Sequence, residues 1–250
     1  MEMGTKVSQP NMKKLVFILF LGILNGLFAQ KDSALISRNR PGLLWYFTGL
    51  RPAKTDNHKY DRFVIDLTYN DWVGALKPLN NRWNSIGINM NLMKDIRFKK
   101  TSIFSIGAGF GYGFSKISSH QQFIVSEDGI LTNNIKNTGI YDHARLNTQR
   151  FYIPLELRFS SKKWSHAKLA IGGTFGLNAA MKQTLFGRDG AKKLQTDLQN
   201  EAPFFNYGMH VRFGIRNVAL FGSYQISNVF KNPKDANLNV IQFGLSFSLF

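Results

Sequence analysis

From Phe205 onward the chain alternates without a break: Phe205, Tyr207, Met209, Val211, Phe213 and Ile215 at odd positions, and Asn206, Gly208, His210, Arg212, Gly214 and Arg216 at even ones. Successive side chains of a strand point to opposite faces, whereas a helix would spread these apolar residues around its circumference. The pattern predicts a strand with one greasy and one small or polar face.

Seven more segments repeat it. Phe63, Ile65, Leu67 and Tyr69 alternate with Val64, Asp66, Thr68 and Asn70, and Ile86, Ile88, Met90 and Leu92 with Ser85, Gly87, Asn89 and Asn91. Phe104 to Phe114 sets six apolar residues against Ser105, Gly107, Gly109, Gly111, Gly113 and Ser115. Phe151, Ile153, Leu155, Leu157 and Phe159 oppose Arg150, Tyr152, Pro154, Glu156 and Arg158. Leu169, Ile171, Phe175, Leu177 and Met181 oppose Lys168, Gly172, Thr174, Gly176, Asn178 and Lys182. The last two run through Leu220, Tyr224 and Ile226, and through Ile241, Phe243, Leu245, Phe247 and Leu249. Pro154 cannot donate to a ladder, so a bulge is expected there.

Eight strands of about ten residues match the length that crosses a bilayer at a tilt. A soluble β protein would fill its interior with the large residues and expose Lys, Glu and Thr. Here the face opposite the large residues is Gly, Ser, Asn, Thr and charge, the inverted pattern of a barrel standing in lipid. Connection lengths agree: loops near 71–82, 116–146, 183–203 and 228–237 alternate with short turns near 94–100, 160–166 and 216–217. Tyr69, Trp72, Trp83, Tyr112, Phe205 and Tyr207 at the long-loop end, and Phe63, Phe104, Phe159, Trp164 and Phe213 at the other, read as two interfacial girdles. The expected fold is all-β, one closed antiparallel transmembrane β-barrel over residues 60–250, with eight strands, or ten if the N-terminal segment contributes.

Composition sharpens this. The chain is 14% aromatic with 22 glycines and 22 phenylalanines, and only 19% charged. It has no cysteine, so neither a disulfide framework nor a thiolate metal site is available. Lys13 and Lys14 precede the apolar run LVFILFLGILNGLFA and the small residue Ala29, which predicts a signal peptide over 1–29 cleaved before Gln30, with Met12 as an alternative start. That run is shorter than the ~20 residues of a spanning helix. Residues 30–59, with LLWYFTGL, fit a further strand, a periplasmic helix or a plug. Of the net +17, residues 1–29 carry +2, leaving +15 on the exported part. The positives are scattered among turns, which argues against nucleic acid and for anionic lipid.

The inward face carries a charge cluster: Asp66, Glu156, Arg158, Lys168, His210 and Arg212. An eight-stranded bore is just wide enough for side chains to fill, so these must pair or hold water. The expectation is a salt-bridged plug, with a narrow ion path as the alternative. The short turns carry a basic rim of Lys94, Arg97, Lys99, Lys100, Lys162, Lys163 and Arg216 against one acid, Asp95, suited to anionic lipid or an acidic periplasmic partner. His120, Ser126, Glu127, Asp128, Asp142 and His143 supply the residue types of a lipid-modifying barrel enzyme, without a motif in their spacing. No catalytic residue is assigned. The five histidines have no paired ligand spacing, so no metal is expected. The run IGAGFGYG at 106–113 lies in a strand with no helix after it, which excludes a dinucleotide site, and no cofactor is expected.

The inward pattern together with QRFYIPLELRF, at residues 149–159, resembles the PorT-like small outer-membrane β-barrel domain family of Bacteroidota. The Ala29-Gln30 boundary is similar to export signals of that group. The resemblance spans residues 60–250 and implies an outer-membrane location and, for some members, a role in a protein secretion system. Phe250 is similar to the terminal aromatic that barrel-assembly machinery recognises, although Leu245, Phe247 and Leu249 are one residue out of step with it. The functional expectation is a non-enzymatic outer-membrane protein that uses its loops and basic rim for binding or assembly. A narrow pore and a lipid-modifying enzyme stand as alternatives.

Overall fold

The alternating segments form strands whose neighbours in sequence are neighbours in space. In this computed structural model the described residues are 63–74, 81–96, 103–127, 129–135, 139–160, 167–215, 217–233 and 237–249. The signal-peptide and 30–59 expectations, and Phe250, lie outside them, as do Arg97, Lys99, Lys100, Lys162, Lys163 and Arg216 of the expected rim.

Eleven strands form among the described residues: β1 (Phe63–Val73), β2 (Ile86–Ile96), β3 (Phe104–Ser119), β4 (Gln121–Ser126), β5 (Gly129–Asn134), β6 (Tyr141–Ser160), β7 (Ala167–Gly187), β8 (Lys192–Asp197), β9 (Phe205–Ile215), β10 (Val218–Gln225) and β11 (Asn239–Ser248). Eight close into an all-antiparallel barrel in the order β1-β2-β3-β6-β7-β9-β10-β11. β11 returns to β1 in the register Val64 to Ser248 and Asn70 to Gln242. Closure leaves no unpaired edge in the wall, which a β-structure in hydrocarbon requires.

Side-chain directions follow the alternation. Leu155 and Leu157 are 56% and 58% exposed, while Glu156 between them is 2% exposed. Phe110, Phe175, Phe213 and Phe243 also face outward, and Asp66, Asn91, Asn206 and Ser246 are buried in the bore. A continuous apolar wall around a polar filling is the inverted distribution of a transmembrane barrel. Glycines on the inner face leave room for large lumen groups: a Cβ on Gly107 would stand 2.6 Å from Arg158 Nε, and one on Gly111 would run into the Tyr152 ring.

Four details depart from the sequence reading. Pro154 interrupts the β3–β6 ladder between the pairs Ala108–Leu155 and Gly111–Tyr152 without shifting the register. The bulge lies instead where Gln149 pairs with Ala180 and Arg150 with Asn178, leaving Ala179 without a partner on β6. One inserted residue reverses every later direction on β7, so Met181 is buried and Lys182 exposed, opposite to expectation. Trp72, placed in the outer girdle, instead packs against the buried Phe123 in the mouth. β2 runs to Ile96, so Lys94 and Asp95 are on a strand and not in a turn. The second and third loops are also largely strand: β6 and β7 have 20 and 21 residues and run well past a bilayer-spanning length.

Candidate functional site

Three layers fill the bore. At the short-turn end the inward positions of β1, β6 and β9 bring charges face to face. Arg212 donates from Nε to Asp66 Oδ1 at 3.1 Å and from Nη2 to Oδ2 at 2.7 Å, and its Nη1 reaches Glu156. Glu156 also accepts from Arg158 Nε at 2.7 Å and pairs with His210 Nε2 at 2.8 Å. Arg158 extends to Asp95 Oδ1 at 2.5 Å, so the one acid read as part of the rim belongs to the lumen network. Lys168 donates to Ser248 Oγ at 2.7 Å and lines one cavity with Glu156 and Arg158. Asp66 and Glu156 are enclosed, and charges so enclosed are tolerable only with such multiple pairing.

The middle layer is amide and guanidinium. Asn91 donates to Asp66 at 3.0 Å and accepts from the Tyr152 hydroxyl at 2.7 Å. Arg150 donates to Gln225 at 3.3 Å and Gln242 at 3.1 Å, and Gln242 donates to Asn70 at 2.9 Å. Among the described residues no carboxylate lies in ion-pair range of Arg150. Arg150 and Tyr152 occupy inward positions of the same strand as Glu156, so parity alone places them in the bore. Phe221, also inward, lies under the Arg212 guanidinium at 5.1 Å.

The third layer is apolar and closes the mouth. Phe123, Ile130, Leu146, Met181, Leu198, Ala202, Val229, Phe230 and Leu238 form a buried cluster with Trp72 and Val240 packed against it. Its members come from the β4–β5 hairpin, from the segment after β8 and from the β10–β11 connection, so the long loops fold together as a cap. Hydrogen bonds tie them: Ile130 N–H to Asn232 O at 2.9 Å and Lys231 N–H to Glu201 O at 2.8 Å. The Gln183 amide clamps the hairpin, accepting from Phe123 N–H at 2.7 Å and donating to Phe123 O at 3.1 Å. Among the described residues, cavities at Trp72 and Gln242, at Tyr152 and His210, and at Arg158 and Lys168 each measure ≈ 20 Å³. Each is room for about one water.

Of the loop residues weighed for catalysis, Asp142 gathers two. Its carboxylate pairs with His143 Nδ1 at 2.9 Å and Arg82 Nη1 at 2.7 Å, and its carbonyl with His120 Nδ1 at 2.9 Å. The hydrogen bonds from His143 and Arg82 hold this carboxyl below its usual range. These contacts join the first outer turn to the second loop, and among the described residues no hydroxyl is hydrogen-bonded to either imidazole. Ser126 and Glu127 lie at the β4–β5 tip, and Asp128 is outside the described residues. No group of three His, Cys, Asp or Glu side chains suited to a metal occurs among the described residues. Lys94, the described member of the rim, is exposed and directed outward.

No family model matches the chain, and no curated protein does. Among solved structures the chain is similar to Ail, the attachment invasion locus protein of Yersinia pestis, at 12% identity over 74% of this chain and 95% of that one, with a TM-score of 0.37. At that distance no function carries across. The closed eight-stranded wall with its greasy exterior makes the chain a transmembrane β-barrel on its own geometry.

Proposed function

We propose that the chain is a non-enzymatic outer-membrane protein whose folded outer cap and basic periplasmic rim serve binding or assembly. The observation that carries this is the cap: loops with a hydrophobic core of their own are a built surface, and a barrel that only had to conduct would leave its mouth open. The packing of the described residues points the same way, since their bore cavities of ≈ 20 Å³ are far below a ligand site or a solute path. The PorT-like resemblance adds a finer reading, an accessory of a protein secretion system, for which the rim would be the periplasmic contact.

The test is pull-down of the tagged chain from detergent-solubilised outer membrane, paired with planar-bilayer recordings of the purified barrel. The reading expects a partner that is retained by the wild type and lost from a Lys94→Glu, Arg97→Glu, Lys99→Glu, Lys100→Glu variant or from a cap variant, with no steady conductance. Steady channels and no such partner would replace it with the pore.

A further inference from the structure

Above the membrane wall, β3, β6, β7 and β8 continue as a sheet whose inner face is occupied by the cap. Its outer face carries cations. Lys116 pairs in register with Asn147, and Asn147 on its other side with Lys182, so the two lysines flank one position of β6. Arg145 lies two residues away on the same face of β6, opposite Ser118 and Thr184. Diagonal neighbours of this kind stand ~7–8 Å apart. The inward Leu146 and Met181 are buried in the cap, which fixes the opposite direction for Arg145, Asn147 and Lys182.

Among the described residues none of Lys116, Arg145 and Lys182 has a carboxylate in ion-pair range. Asp197 stands opposite Lys182 on β8, but its Oδ1 accepts from the Gln199 N–H at 3.0 Å. The Arg145 guanidinium lies over the Phe186 ring at 4.6 Å, and its Nε has no hydrogen-bond partner. Burial first, and the neighbouring Arg145 second, push the Lys116 ammonium below its usual range.

Position says what they meet. Lys116 follows Phe114 by two residues on the outward face of β3, about 7 Å along the strand. That is roughly the depth of a headgroup layer beyond the hydrocarbon edge. Directly below lie the outward rings of Tyr112, Phe110 and Phe151, the last two stacked at 5.8 Å and more than 40% exposed. A ligand for this place needs anionic oxygens above and acyl chains beneath. We propose that Lys116, Arg145 and Lys182 form a binding site for the phosphate of an anionic lipid in the leaflet on the long-loop side, its chains lying over Phe110 and Phe151. Arg145 supplies the planar fork that suits phosphate oxygens, and the lysines supply point charges on either side.

The inference rests on the barrel standing in a membrane, which the heat-modifiable gel shift of the folded form and insertion into vesicles report separately. The binding experiment is native mass spectrometry of the full-length barrel in detergent, titrated with diphosphoryl lipid A. Wild type should retain the lipid, and Lys116→Gln, Arg145→Gln, Lys182→Gln together should weaken it at least tenfold. Lys182→Gln alone, at the most exposed of the three, should weaken it severalfold, which serves if the triple variant does not fold. Lys192→Gln, outside the site, should leave it unchanged. Binding by the folded triple or single variant equal to wild type overturns the proposal. So does equal displacement by inorganic phosphate at the lipid's own concentration, which would make the site one for a free anion.

Discussion

Arg212 on β9 and Asp66 on β1 meet across the bore through two parallel hydrogen bonds, at 3.1 and 2.7 Å, although two strands separate them in the wall. The pair therefore acts as a strut rather than as a cross-strand contact, and it shares its guanidinium with Glu156. Removing one side leaves an enclosed charge without its complement, the most destabilising way to break such a pair. Asp66→Ala should lower stability by about 3 kcal/mol, whereas the double variant with Arg212→Met should be less destabilised than the sum of the two single changes. Urea unfolding in detergent micelles, followed by tryptophan emission, gives the cycle; additivity would mean that the strut is not coupled.

Gly111 makes room for the Tyr152 ring. Gly111→Ala should cost about 1–3 kcal/mol through overpacking, and little once Tyr152→Ser has vacated the space. The same unfolding assay reads the difference. An equal cost in both backgrounds would place the strain elsewhere.

The Gln183 side chain acts as a rung of ladder, meeting both the N–H and the carbonyl of Phe123. Gln183→Leu leaves two enclosed backbone groups unmet, at about 1–3 kcal/mol each, and Phe230→Ala empties the centre of the cap at about 3–5 kcal/mol. Both should expose the long loops to protease while the wall keeps its resistance to unfolding in detergent. Loss of the wall together with the cap would show that the two fold as one unit.

Asp142 carries a pH dependence of known sign. Its carboxyl is held below the usual range by hydrogen bonds from His143 and Arg82. The contribution it makes to holding the first outer turn on the second loop is complete above the ordinary carboxylate range and is lost as the pH falls through its own lowered value. Hydrogen exchange of the Arg82 to Ser85 segment, corrected for intrinsic rate, should therefore quicken in acid. In Asp142→Asn that acid response should vanish.

Much of this was legible in the chain. Parity assigned Asp66, Glu156, Arg158, His210 and Arg212 to one interior, and the pairing of β1 with β11 follows from closing an alternating sheet. What parity cannot see is an inserted residue. Nothing in LNAAMK announces the bulge at Ala179, so alternation alone points Met181 and Lys182 the wrong way round. Trp72 departs for the opposite reason: its even number in β1 already points it inside, while an aromatic near a strand end suggests an interface. The cap was hidden because its core comes from short pieces, QQFIVS, GILTNN and the stretch around Phe230, none long enough to show a period. Its cohesion is a property of loops meeting, not of any one of them.

The absence of cysteine allows a single thiol, and so a single spin label, at each position from 206 to 213 of the barrel in liposomes. Power saturation then compares access of oxygen, which concentrates in lipid, with access of a water-soluble nickel chelate. Positions 207, 209, 211 and 213 should be open to oxygen and closed to nickel, while 206, 210 and 212 should be closed to both, a period of two with a packed interior. Nickel access at the even positions would mean an open aqueous bore, and loss of the alternation would mean that the greasy face does not meet lipid at all.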